Sequence, residues 1–275
     1  MFPHANVNVV HVTDDDLPQE PHEHPNFWNI WRGVVRRFQP RTDFVFACEP
    51  YGFPLAEVLG ARYIPVDRAR EMVPVSAREV RANPLKYWEY LPVIVRPHFV
   101  KRVCLFGPES TGKSTLARRL AAHYDTAFVA EHARPLLDHK GGVCDSSDIP
   151  LIARGQVAAE DAMARQANRL LFCDTDPLLT SVWSEVLFSA CPREVQELAM
   201  TRRYDLTLLT DIDAEWVDDG QRFLPHRRQE FMERCRAALD RSTRRYARIS
   251  GSWDDRFAQA CGAVDDLLAA DHVPE

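Results

Sequence analysis

Several things are scarce in this chain, and each scarcity excludes a class of protein. No apolar run approaches the ~18 residues that a membrane span needs, so no membrane partner is expected. Met1-Phe2-Pro3-His4 opens the sequence without a basic segment ahead of an apolar stretch, so no secretory signal is read there. Basic residues do not outnumber acidic ones: 34 Lys+Arg face 40 Asp+Glu, a net charge of −6. A diffuse basic face for nucleic acid is therefore not expected. The seven cysteines are odd in number, scattered and free of any Cys-x-x-Cys, which argues against a disulfide framework or zinc knuckle and for a reducing cytoplasm. Glycine is thin as well, 11 residues against 19 prolines, so each glycine in a turn is informative.

What is present is ordinary globular composition, 45% hydrophobic and 27% charged. At ~150 residues per domain, 275 residues make roughly two domains or one large α/β domain. Residues 7–12 read as a short strand, 27–38 as a helix, 43–47 and 62–66 as strands around a helix at 54–59, and 76–83 as a helix start. Residues 88–97 read as an irregular connector, with a domain boundary near 96–101. Beyond it, strands at 102–106, 127–129, 170–173, 206–209 and 247–249 alternate with helices at 113–124, 148–169, 192–203, 228–241 and 254–269. That alternation implies a parallel sheet covered by helices on both faces.

The strongest chemical signal is Gly107-Pro108-Glu109-Ser110-Thr111-Gly112-Lys113-Ser114, which fits G-x-x-x-x-G-K-[ST] between an apolar strand and an amphipathic helix. Its glycines let backbone N–H groups turn inward around phosphates, and the helix N-terminus adds partial positive charge. Lys113 then reaches the β/γ-phosphates and Ser114 holds Mg²⁺. Thr115 completes the nucleotide-binding stretch. The strand at 170–173 ends in Asp174-Thr175-Asp176, at the strand end where α/β sheets bind ligands. Asp174 is expected beside Mg²⁺, and Asp176 is expected to face the substrate. Glu131 and Arg134 follow the strand 127–129 in the same way, and Glu131 is the first choice for a general base, with Asp176 its rival. Residues 216–228 place Trp216, Asp219, Gly220, Arg222, Arg227 and Arg228 in one loop. Arg222 is expected to neutralise the migrating phosphoryl group, Arg227 to bind the nucleotide, and Trp216 and Asp219 to touch the substrate.

The stretches GPESTGKSTLA, EHAR, LLFCDTD, YDLTLL and WVDDGQR, in this order over about residues 100–260, resemble the ribosylnicotinamide kinase domain of the NadR-type bifunctional adenylyltransferase/kinase family. The resemblance implies a P-loop kinase domain over 99–275 that uses ATP and Mg²⁺ to phosphorylate the 5′-hydroxyl of nicotinamide riboside. Some members carry Trp just before the Glu of the E-x-x-R motif. Here that position is Ala130, so ring recognition is expected from elsewhere, and another nucleoside or small metabolite stays open as acceptor. A non-catalytic ATP-binding sensor of nicotinamide nucleotides is the reading from another class. Nothing in the sequence fixes the oligomeric state; self-association stays open.

Residues 1–98 resemble the C-terminal half of the same family's nucleotidylyltransferase domain, through ACEPYGFPLAEVLGARYIPVD and PVSAREVRANPLKYWEYLPVIVRP. The resemblance implies a partial, Rossmann-like half-domain. Its S-x-T-x-x-R motif is matched at Ser76 and Arg81, with Arg78 in place of Thr. Ser76 and Glu79 also satisfy a capping box, so a structural account stands beside phosphate binding. The superfamily's H-x-G-H motif does not occur in the sequence, so adenylyl transfer is not expected from it.

Overall fold

The computed structural model describes residues 7–14, 16–217, 224 and 226–270, and the chain divides into two compact units, residues 1–79 and 80–275. The first holds α1 (Phe27–Phe38), β1 (Phe44–Ala47), α2 (Gly52–Leu59) and β2 (Arg62–Pro65). β1 and β2 pair in parallel, Phe44 opposite Arg62. Helix α2 stops at Gly60, whose φ of 68° returns its N–H to the Ala56 and Glu57 carbonyls. Residues 7–12 form no strand: Val7, Val9 and Val10 are exposed, and without a partner ladder an apolar run gains nothing by extending. The short helix α3 (Ala77–Ala82) carries the division between the units. Ser76 N–H donates to Glu79 Oε2 at 2.6 Å and Glu79 N–H to Ser76 Oγ at 3.1 Å, the reciprocal capping box.

The second unit begins well before residues 96–101. Leu85, Trp88 and Leu91 are buried in its core, so the segment expected as a connector is part of this unit's packing, shaped as a 3₁₀ turn (Trp88–Tyr90) and the one-turn helix α4 (Arg96–Phe99). Then follow β3 (Lys101–Phe106), α5 (Lys113–His123), β4 (Ala127–Val129), α6 (Ala133–His139), α7 (Asp148–Met163), β5 (Leu170–Asp174), α8 (Pro177–Phe188), α9 (Arg193–Thr201), β6 (Leu206–Thr210), α10 (Arg228–Ser242), β7 (Tyr246–Ile249) and α11 (Trp253–Ala270). The strands form one parallel sheet in the order β4-β5-β3-β6-β7. Helices α6 and α8 have no counterpart in the sequence reading.

Helices on both faces of the sheet explain why β3 is apolar over 103–106 and β5 over 170–173. Val103, Leu105, Leu170 and Phe172 pack with Leu116, Leu120 and Val264 on the α5/α11 side. Their alternates Cys104, Phe106, Leu171 and Cys173 pack with Leu179, Val182, Phe231 and Leu239 on the α8/α10 side. By the same parity Asp174, two residues beyond Phe172, falls on the α5 side. No helix among the described residues is long and apolar enough to cross a membrane.

Candidate active site

Strand β3 is central in the sheet, with β5 on one side and β6 on the other, and the chain leaves its C-terminal end at the place where open α/β sheets carry their ligands. The loop between β3 and α5 is held in the shape that its glycines permit. Gly107 has φ 133°, and a Cβ there would stand 2.8 Å from the Thr210 carbonyl oxygen; Gly112 has φ 81°, and a Cβ there would overlap the Trp253 ring. Thr111, 1% exposed, donates to or accepts from Thr210 Oγ1 at 2.7 Å and bonds the Pro108 carbonyl at 2.8 Å. Behind the loop, the buried Arg256 guanidinium donates to the Thr111 and Asp211 carbonyls at 3.1 Å each and pairs with Asp213. Inside the loop, Lys113 Nζ donates to the Pro108 carbonyl at 2.8 Å. The ammonium is thus already seated where a polyphosphate would lie.

Strand register brings the acids to this loop. Leu105 pairs with Asp174 and Val129 with Cys173, and the Thr175 N–H continues the ladder to Leu105 O at 3.1 Å. Asp174 is 2% exposed and hydrogen-bonds the Ser114 hydroxyl, while its Oδ1 has no hydrogen-bond partner. Glu131 accepts from Arg134 Nε at 3.2 Å. Burial first, and the neighbouring Asp174 charge second, hold the Glu131 carboxyl above the usual glutamate range; Lys113 and Arg134 pull it back. Burial likewise raises Asp174, against Lys113 and the Ser114 hydrogen bond. An orphaned, desolvated carboxylate oxygen beside a serine hydroxyl is a hard oxygen pair, and it fits a hydrated Mg²⁺ that takes its other ligands from phosphate and water. Among the described residues no cluster of three His, Cys, Asp or Glu offers an all-protein cage, so a metal here would depend on the nucleotide.

A cavity of about 500 Å³ opens over these groups. It is lined by Glu109 to Thr115, Arg118, Glu131, Arg134 and Asp174, and by apolar side chains that include Leu137, Ile152, Leu179, Trp183 and Leu187. Ala130 also faces it. Trp183 reaches the wall from α8, its ring packed on Phe231 at 4.2 Å between centroids.

Three expected residues stand elsewhere. Asp176 is fully buried, outside the cavity lining: its carboxylate accepts the Leu179 N–H at 2.9 Å as the N-cap of α8, and it pairs with Arg244. The expectation that it faces substrate is corrected, because both of its oxygens serve the fold. Arg227 is an exposed side chain bound to Glu230 at 2.8 Å rather than a cavity group. Trp216 lies under the Arg228 guanidinium, 5.7 Å from ring centroid to Cζ, also off the cavity wall. Asp219, Gly220 and Arg222 lie outside the described residues. Sequence reasoning missed Arg118, Thr175, Thr180 and Trp183; the Asp176-Pro177 pair, a cap followed by proline at the first helical position, was the signal for the helix that carries the last two.

Residues 102–256, more than half of the chain, match the family described as AAA domain. The trifunctional NAD biosynthesis/regulator proteins NadR of Escherichia coli K12 and Salmonella typhimurium LT2 are 30% and 29% identical to this chain over 96% of its length. The chain spans 66% of the length of these curated relatives. Among solved structures, a NadR protein in complex with NR and one in complex with NAD and AMP-PNP each superpose with a TM-score of 0.72 at 24% identity, over 93% of this chain and 76% of the other. The architecture is therefore shared with NadR proteins.

Proposed function

The chain belongs to the AAA-domain family, and from that premise we propose that its second unit is a cytoplasmic, Mg²⁺·ATP-dependent nucleoside kinase whose acceptor is the 5′-hydroxyl of nicotinamide riboside. One observation supports this above the rest: a single cavity is lined by the glycine-lysine loop, a metal-fitting Ser114/Asp174 pair, the Glu131 carboxyl and apolar side chains that include an aromatic ring. A nucleoside has the matching polarity, a hydroxymethyl at one end and a flat ring at the other. NadR relatives, one of them solved with NR, favour this riboside.

The division of labour follows from placement. The loop N–H groups and the α5 N-terminus hold the β- and γ-phosphates, and Lys113 leaves the Pro108 carbonyl to follow the transferring charge. Ser114 and Asp174 would hold Mg²⁺, which neutralises phosphate charge when bound. Glu131 takes the proton from the attacking hydroxyl; its burial makes it a better base than a surface carboxylate, and Arg134 keeps it oriented. Most of the rate comes from alignment and electrostatics, because the loose phosphoryl transition state asks for little covalent help. Arg222, outside the described residues, is assigned the neutralisation of the migrating phosphoryl group on the sequence alone. The first unit is assigned to a nucleotidylyltransferase-like half-domain.

The test is ADP release by the purified chain with nicotinamide riboside and with a panel of other ribosides and deoxyribosides. Riboside-dependent ADP with mononucleotide product is expected. ADP formation no greater than the acceptor-free rate would remove the substrate assignment. Preference for another nucleoside would return the acceptor to the reading that Ala130 keeps open, since no Trp stands beside Glu131.

A further inference from the structure

Glu131 and Asp174 sit on different strands, and Glu131 lies two residues past the end of its own, where no ladder hydrogen bond fixes it. Something else must set the distance between the two carboxylates. We infer that Gln156, in the middle of α7, is the positioning residue that does so. This deepens the kinase reading and rests on it.

Gln156 is 1% exposed and is not part of the cavity wall, so it touches no substrate there. Its Oε1 accepts the N–H of His132, the residue after Glu131, at 3.0 Å. Its Nε2 points the other way and donates to the Asp174 and Thr175 carbonyls at 3.5 Å each. The N–H of His132 fixes which end of the carboxamide is oxygen, so the orientation is set by chemistry. One planar group thus ties the backbone beside Glu131 to the backbone of Asp174. No apolar side chain makes either bond, and a carboxylate makes only the first.

The residue before it bears on the same point. Gly155 lies inside a 16-residue helix, where glycine costs about 1 kcal/mol relative to alanine. A Cβ there would overlap the His132 imidazole ring. Glycine lets α7 come close enough for Gln156 to reach across. Gly155 and Gln156 together dock the Glu131 loop onto the end of β5.

The test uses the full chain with Gln156→Met, Gly155→Ala, and Gly155→Ala combined with His132→Ala. Turnover is expressed per nucleotide-binding site, titrated with AMP-PNP, so that loss of folded protein does not count. Gln156→Met is expected to lower kcat about 10- to 100-fold while KM for ATP and for the riboside stay within about twofold, the pattern of misaligned reacting groups. Gly155→Ala is expected to lower kcat in the same way, and His132→Ala to restore it by removing the ring that the methyl group meets. Unchanged kcat per site in Gln156→Met, or no rescue by His132→Ala, overturns the inference. If the parent chain turns over no acceptor, the kinase reading falls, and the positioning claim is read from binding instead. Gln156→Met should then reduce the gain in AMP-PNP affinity on adding Mg²⁺ about tenfold and leave metal-free affinity unaltered; an equal Mg²⁺ gain overturns it.

Discussion

Asp176 offers the sharpest contrast between a structural and a chemical role, and replacing it separates the two by magnitude. Its side chain is fully buried and its partner Arg244 is 9% exposed. In Asp176→Ala the guanidinium keeps only the Ala199 and Arg202 carbonyls, at 2.9 and 3.4 Å, and the Tyr204 ring 4.9 Å away. Stranding a buried charge in this way costs about 3–5 kcal/mol. The Leu179 N–H also loses its cap, worth about 1 kcal/mol. The sum, about 4–6 kcal/mol, is a large share of the ~5–15 kcal/mol that a domain has to lose. Urea unfolding at neutral pH, followed by tryptophan fluorescence, should show the second unit's transition moved by that amount. Asp176→Ala with Arg244→Met should recover most of the loss, because no charge is left behind. Asp176→Asn, which keeps a capping oxygen, should retain turnover per nucleotide-binding site within about tenfold. The reasoning fails if Asp176→Ala unfolds within about 1 kcal/mol of the parent, or if Asp176→Asn loses the 10²- to 10⁴-fold typical of a missing general base.

Glu131→Gln should show the opposite pair of effects. Turnover should fall about 10²- to 10⁴-fold, while metal-free stability at neutral pH should rise. Folding raises the Glu131 pKa, so its ionisation opposes folding, and the gain on neutralising it should shrink as pH falls toward the ordinary glutamate range and vanish below it. Lower stability at pH 7 than the parent would contradict the placement. Asp174→Asn and Ser114→Ala should each flatten the Mg²⁺ dependence of AMP-PNP binding in calorimetry and spare metal-free binding; an unchanged Mg²⁺ dependence would dismiss the pair as a metal site. Gly112→Ala should abolish nucleotide binding, because a methyl group at φ 81° is strained and meets Trp253; wild-type affinity would show that the loop tolerates another shape. Trp183→Leu should raise KM for the acceptor severalfold and leave KM for ATP alone if its ring is the wall against which the base rests, and equal changes in both constants would contradict that.

The parts that could be read from the sequence are those whose causes are local. The loop between β3 and α5 carries its own glycines, its lysine and its helix start within eight consecutive residues, so spacing alone located it. Asp174 and Glu131 stand out because a strand's end is visible as the place where a continuous apolar run stops, and parallel α/β sheets gather those ends. Asp176 shows where that logic runs out. One residue type serves as base, ligand and helix cap, and the feature that decides here is Arg244, 68 residues further on and unmarked by any spacing. Trp88 and Leu91 lie in the stretch read as a connector; only the core that buries them, with Leu85, makes them part of the second unit. Gln156 left no trace at all, being one polar residue in a helix whose neighbours are ordinary. Its partners are two backbone segments that the sheet brings together only after β4 and β5 have paired. What the sequence announces is therefore an inventory of candidate reacting groups, while the proposed control of the distances between them falls to residues that contribute no reactive chemistry.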